Sequence, residues 1–124
     1  MKKILITDDS SIMRLFVRMI MRNLGGVSLT EALDGQDAIE KIKKDHFDLI
    51  ITDINMPRMN GLQLIENIRV MGLEIPIIIL TIRGEEKDVE KGLSFGANDY
   101  VTKPISIHTF TNIIMNYVNT AVAL

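Results

Sequence analysis

Five short apolar runs, each separated from the next by an amphipathic or polar stretch, set narrow limits on how this chain can fold. The first is Lys3 to Thr7, built on Ile4-Leu5-Ile6; the third is Leu49 to Asp53; the fourth contains Ile77-Ile78-Ile79-Leu80. These runs lack the in–out alternation of a half-exposed strand and read as strands buried on both faces. Val27 to Ala32 is a weaker second run, and Asn98 to Lys103 is the fifth. Pro76 opens the fourth strand, where a missing N–H is tolerated. Strand–helix units of about 20–25 residues require right-handed crossovers, hence a parallel sheet covered by helices on both sides. The expected fold is α/β, with five parallel strands and five helices.

The stretches between the runs carry helix signals. Ser10 or Ser11 supplies an N-cap, and Ile12, Phe16, Met19 and Ile20 recur at helical spacing up to Gly25-Gly26. From Gly35 to Lys44, Ala38, Ile39 and Ile42 share one face opposite Glu40, Lys41, Lys43 and Lys44. Asn55 to Gly61 is turn material, after which Leu62, Ile65 and Ile68 mark a third helix. Glu85 to Phe95 is a polar helix offering only Val89, Leu93 and Phe95 to a core, closed by Gly96. Ile107, Phe110, Ile114, Tyr117 and Val118 give the last helix a strongly apolar face. Of the eight methionines, Met19 is expected to fill the core; Met13, nearer the strand ends, is the better docking candidate.

Length and composition narrow the class. One domain, residues 1–124, is expected from the 124 residues, with no linker or repeat and no second domain. With 47% apolar and 24% charged residues the chain is globular rather than disordered. A net charge of −2 gives no pull toward nucleic acid or an anionic membrane. The absence of cysteine excludes disulfides, thiolate metal sites and cysteine nucleophiles. The N-terminal apolar run is too short for a signal peptide, and none reaches spanning length. A soluble cytoplasmic protein is expected.

The polar residues that end the runs carry the chemistry. Asp8 and Asp9 close the first, Asp53 the third, Thr81 the fourth, and Lys103 the fifth. In a parallel sheet these groups meet at the carboxyl edge, where open α/β folds place their sites. Three carboxylates at contact distance repel by about 4 kcal/mol per pair at an effective dielectric near 20. A hard divalent cation relieves that conflict, and Mg²⁺ suits a shell shared between protein and water, with Mn²⁺ a substitute. A carboxylate beside Mg²⁺ and a lysine is a competent nucleophile toward a phosphoryl group. Taken singly, each aspartate reads as a turn or cap residue, Lys103 as a solvated lysine and Thr81 as a strand terminator. The joint pattern favours a site.

Asp8-Asp9-Ser10, Asp53-Ile54-Asn55-Met56-Pro57 with Gly61, Thr81, Gly96-Ala97-Asn98-Asp99-Tyr100 and Lys103-Pro104 together resemble the response-regulator receiver domain of two-component signalling, over the whole chain. The resemblance implies the flavodoxin-like, doubly wound strand order 2-1-3-4-5. It implies Asp53 as phosphoacceptor, Asp9 as a direct Mg²⁺ ligand, Asp8 as a ligand through water, and the Asn55 backbone carbonyl as a further ligand. Thr81 and Lys103 would bind phosphoryl oxygens, Tyr100 would be a rotating aromatic switch, and the bond before Pro104 would be cis. A sensor histidine kinase would be the donor. Phosphorylation would act on the face made by the fourth helix, fifth strand and fifth helix.

Ser11-Ile12-Met13-Arg14 and Asn55-Met56-Pro57 lean toward the single-domain chemotaxis branch, with a flagellar motor switch component as target. A phosphorelay intermediate or a subunit acting on another enzyme is the runner-up. The chain is expected to be a switch with self-phosphorylation and autodephosphorylation chemistry, not an enzyme; an aspartyl-phosphate phosphatase is a weaker alternative. Two positions depart from the pattern. Ile82 stands where a small residue is usual and should crowd the phosphoryl site and an inward Tyr100, and Ile105 stands where phenylalanine is common. Asn55 and Arg83, each two residues beyond a site residue, are candidates for setting the lifetime of the phosphorylated state.

Overall fold

The computed structural model describes residues 1–118. The elements run β1 (Lys2–Thr7), α1 (Ser11–Met21), β2 (Val27–Ala32), α2 (Gly35–Lys44), β3 (Leu49–Asp53), α3 (Gly61–Val70), β4 (Ile77–Thr81), α4 (Glu86–Phe95), β5 (Asp99–Thr102) and α5 (Ile107–Val118). The sheet order is β2-β1-β3-β4-β5, with every neighbouring pair parallel. Thr7 pairs with Thr52, Asp53 with Leu80, and Thr81 with Thr102, so the carboxyl ends of four strands finish level. That register gathers the chemistry at one edge. No helix among the described residues is long and apolar enough to cross a membrane.

Because successive strand residues point to opposite faces, the apolar runs feed two separate cores. Ile4, Ile6, Leu49, Ile51, Ile78 and Leu80 meet Val17 and Ile20 of α1 and Phe110 and Ile114 of α5. Leu5, Ile50, Ile77 and Ile79 meet Ala38, Ile39, Leu64, Ile65, Ile68 and Val89 from the helices of the other face. Each fully buried Ile, Leu or Phe contributes about 1.5–3 kcal/mol of transfer free energy. All five residues of β4 are buried, as the unbroken Ile77–Leu80 run requires of a strand with neighbours on both sides. Local signals place the helix starts. Ser10 and Asp34 cap α1 and α2 by accepting from Met13 N and Asp37 N, and Asn60 with Gln63 forms a capping box on α3.

Some expectations fail on particular residues. Helix α1 ends at Met21 rather than at the glycines, through tight turns from Asn23 N to Ile20 O and Leu24 N to Met21 O. Its buried line is Val17, Ile20, Met21 and Leu24, with Met13 and Phe16 packed against it; Ile12 and Met19 are 79% and 56% exposed. The methionine assignment is thus reversed, with Met19 outside and Met13 against the core. Ile12, Leu15 and Met19 form a second apolar stripe at helical spacing, so periodicity alone could not fix which stripe faces inward. On α4, Leu93 is 38% exposed, and the close approach to β4 is made at Gly92, where a Cβ would lie 2.5 Å from Ile79 Cδ1.

At the pole opposite the carboxyl edge one side chain ties three segments. The Arg69 guanidinium, at the end of α3, donates to Gly96 O, Leu73 O and Asn98 Oδ1. Asn98 Oδ1 also accepts from Ile77 N at the start of β4.

Candidate functional site

Asp8, Asp9 and Asp53 each offer a carboxylate oxygen within 4.8 Å of the others. Asp8 follows β1 and is fully buried, Asp9 is exposed, and Asp53 ends β3 half-buried. One oxygen of Asp8 accepts from Ser10 N at 2.9 Å. The other, Oδ2, accepts no hydrogen bond and faces the Lys103 ammonium at 3.5 Å. Lys103 Nζ also stands 3.7 Å from Asp53 Oδ1, which accepts from Ile54 N at 2.8 Å. An acceptor that is buried, ionisable and without a donor is costly unless a cation completes it. The same crowding acts on Asp53. Burial first, then the Asp8 charge, push its carboxyl up to about 6, against the opposing pull of Lys103 and the Ile54 amide. A hard cation bound by oxygens suits this donor set, and Asp8, Asp9 and Asp53 are the side chains that could hold it.

The loop after β3 is seated by close approach. Gly61, the first residue of α3, donates its N–H to Ile54 O at 2.7 Å, and a Cβ there would lie 2.1 Å from Asp53 O. No other residue lets α3 start against the backbone of Asp53. Earlier in the loop, Arg58, at φ 63, donates twice to the buried Asp34.

Thr81 is buried at the end of β4, and its carbonyl accepts from Lys103 N at 2.7 Å, fixing the two residues side by side. The peptide bond from Lys103 to Pro104 is cis. Ile82, Arg83, Val89, Leu93 and Tyr100 surround Thr81 in a cleft of about 340 Å³. Tyr100 is 47% exposed and Ile82 is 51% exposed. The expected site residues are therefore together, with Tyr100 and Arg83 on the cleft wall rather than in the acidic pocket.

One participant was missed. The Glu85 carboxylate accepts from Thr81 Oγ1 and from Ile82 N, each at 2.9 Å, and from the Asn55 side-chain amide. Asn55 is exposed, and its side chain is committed to this contact. In the sequence Glu85 is one acid among many in a polar helix, and only its four-residue offset from Thr81 across Gly84 hints at the bridge.

This geometry has known counterparts. Residues 4–115 match the response regulator receiver domain. The chain is 38% identical over 109 residues to the chemotaxis protein CheY-3 of Vibrio cholerae, covering 86% of this chain and 84% of that protein. It superposes on the chemotaxis protein CheY4 of Vibrio cholerae with TM-score 0.86 and 30% identity, over 94% of this chain and 98% of the other. A response regulator from Chloroflexus aurantiacus gives TM-score 0.87 at 27% identity, over 95% of this chain and 98% of that one. Sequence and structure agree that the chain belongs to the response regulator receiver domain family.

Proposed function

We propose that this protein is a phosphorylation-driven switch in which Asp53 accepts a phosphoryl group from the phosphohistidine of a sensor histidine kinase. The single observation that carries the reading is the buried Asp8 Oδ2 without a hydrogen-bond donor, in a cluster with Asp9, Asp53 and the Lys103 ammonium. Asp8, Asp9, Asp53 and the Asn55 backbone carbonyl would hold Mg²⁺, which neutralises carboxylate and phosphoryl charge when bound. The Asp53 carboxylate attacks phosphorus, an O–P bond forms, and the P–N bond to the donor imidazole breaks, its electron pair returning to the ring. Lys103 Nζ, 3.7 Å from Asp53 Oδ1, and the Thr81 hydroxyl, once released from Glu85, would donate to the phosphoryl oxygens.

The cleft lined by Thr81 and the half-exposed Tyr100 offers the space into which the ring would turn as Thr81 moves toward the phosphoryl group. The α4–β5–α5 face would then change its affinity for a protein target. Similarity to CheY-3 along most of the chain favours a chemotaxis role, with a flagellar motor switch component as partner. The protein would act as a relay rather than a multi-turnover enzyme, its own hydrolysis of the acyl phosphate resetting it. Incubation with acetyl phosphate and Mg²⁺ followed by intact-mass measurement tests the reading. One phosphoryl group is expected on the wild type and none on Asp53→Asn; an equal gain by both would place the acceptor elsewhere.

A further inference from the structure

Glu85 stands in the N-cap position of α4, yet its side chain makes no capping hydrogen bond. Glutamate is a poor cap, and such breaks of local rule concentrate at functional sites. The carboxylate turns back across the loop to take the Thr81 hydroxyl, the Ile82 amide and the Asn55 amide. A hydroxyl has one proton and a backbone amide one N–H, so neither can serve two anionic oxygens at full strength. A phosphoryl group on Asp53 would need these same donors at the mouth of the pocket. Gly84, at φ 98 and with nothing within 4 Å of where a Cβ would lie, makes the turn that brings Glu85 back to Thr81, its own N–H donated to Glu86 Oε1.

We propose that Glu85 is an internal competitor for the phosphoryl site: its carboxylate holds the Thr81–Ile82 donors in the unphosphorylated protein and is displaced on phosphorylation, untying the first turn of α4. The inference rests on Asp53 being the phosphoacceptor. While the latch is shut the site is unavailable, so apparent affinity for a phosphoryl group falls in proportion to the open fraction. The displaced side chain links chemistry at the sheet edge to α4 through the Glu85 backbone, without any relay through the core.

Beryllofluoride, titrated into the full chain with saturating Mg²⁺ and followed by ¹⁹F NMR, reads that fraction. Glu85→Ser provides a stronger N-cap, so α4 keeps its start, and Glu85→Ala serves as a second variant. Both are expected to bind about tenfold more tightly than wild type, as for a latch open about a tenth of the time. In the metal-free protein the Ile82 amide should exchange faster with solvent in Glu85→Ser, having lost its acceptor. Wild-type binding with no gain in either variant, or unchanged Ile82 exchange, overturns the competitor. No binding by wild type or variants overturns the phosphoacceptor reading, and the competitor with it.

Discussion

Replacing Gly61 by alanine separates the geometry of the site from the stability of the fold. The added Cβ would sit 2.1 Å from Asp53 O and 2.9 Å from Ile54 Cα, both backbone atoms that no rotamer change can move. Ordinary contact begins at 3.4 Å, so α3 and the end of β3 must part by about 1.3 Å, within the range where overpacking costs about 1–3 kcal/mol. The upper end applies because the obstruction is main chain and the Gly61 N to Ile54 O hydrogen bond lengthens with it. A domain stable by about 5–15 kcal/mol still folds, with the urea midpoint lowered by about 1–3 M. The displaced atom belongs to Asp53, the proposed phosphoacceptor, and misplacement by about 1 Å costs about a hundredfold in rate. Phe110→Ala is the control. Phe110 is fully buried on the α1–α5 side, so its loss costs about 3–5 kcal/mol by cavity formation without moving Asp53. We predict that Gly61→Ala slows phosphorylation by acetyl phosphate about a hundredfold, while Phe110→Ala, at least as destabilised, keeps a near wild-type rate below its unfolding transition. Equal rates in wild type and Gly61→Ala, or a slowing that merely tracks stability in both variants, would refute the argument.

Other outcomes follow from the same geometry. In the absence of divalent cations, Asp53, at about 6, holds its proton in the folded state at pH values where the unfolded carboxyl has lost it. The folded state then binds more protons between about pH 4 and pH 6, so the stability from this group declines as pH rises through that window. Urea midpoints across that range should show the decline in wild type and not in Asp53→Asn; parallel curves would count against it. Ile82→Ala should speed phosphorylation by acetyl phosphate, since Ile82 borders the cleft beside Thr81, and an unchanged rate would dismiss crowding. Substituting Asn55 or Arg83 should alter the decay of the phosphorylated form, followed by intact mass, without abolishing its formation. Unaltered decay in both would reject their role.

The fold was legible because β4 and β3 carry near-continuous aliphatic runs that only a doubly covered strand can bury. The acidic cluster was legible because each member closes such a run, and parallel strands must end together. Helix phase was not: α1 offers two apolar stripes, and only the sheet surface selects Val17, Ile20 and Met21 over Ile12 and Met19. Glu85 was hidden for a different reason. Its role depends on a turn through Gly84 that folds it back onto Thr81, and no periodicity records where a loop points its side chain. Gly92 was likewise masked, because a glycine within a helix signals helix weakness before it signals close packing.

The Arg69 clamp gives α4 two unlike ends. Its carboxyl terminus is riveted to α3 and the foot of β4 through Gly96, Leu73 and Asn98. Its amino terminus is held by the Glu85 contacts to Thr81 and Ile82, by the Gly84 amide on the Glu86 carboxylate and by the buried Val89. Were Glu85 displaced as proposed, the clamped end would stay put and the movement of α4 would be largest beside Thr81 and fade toward Gly96. A partner reading this helix would sense an angle rather than a distance.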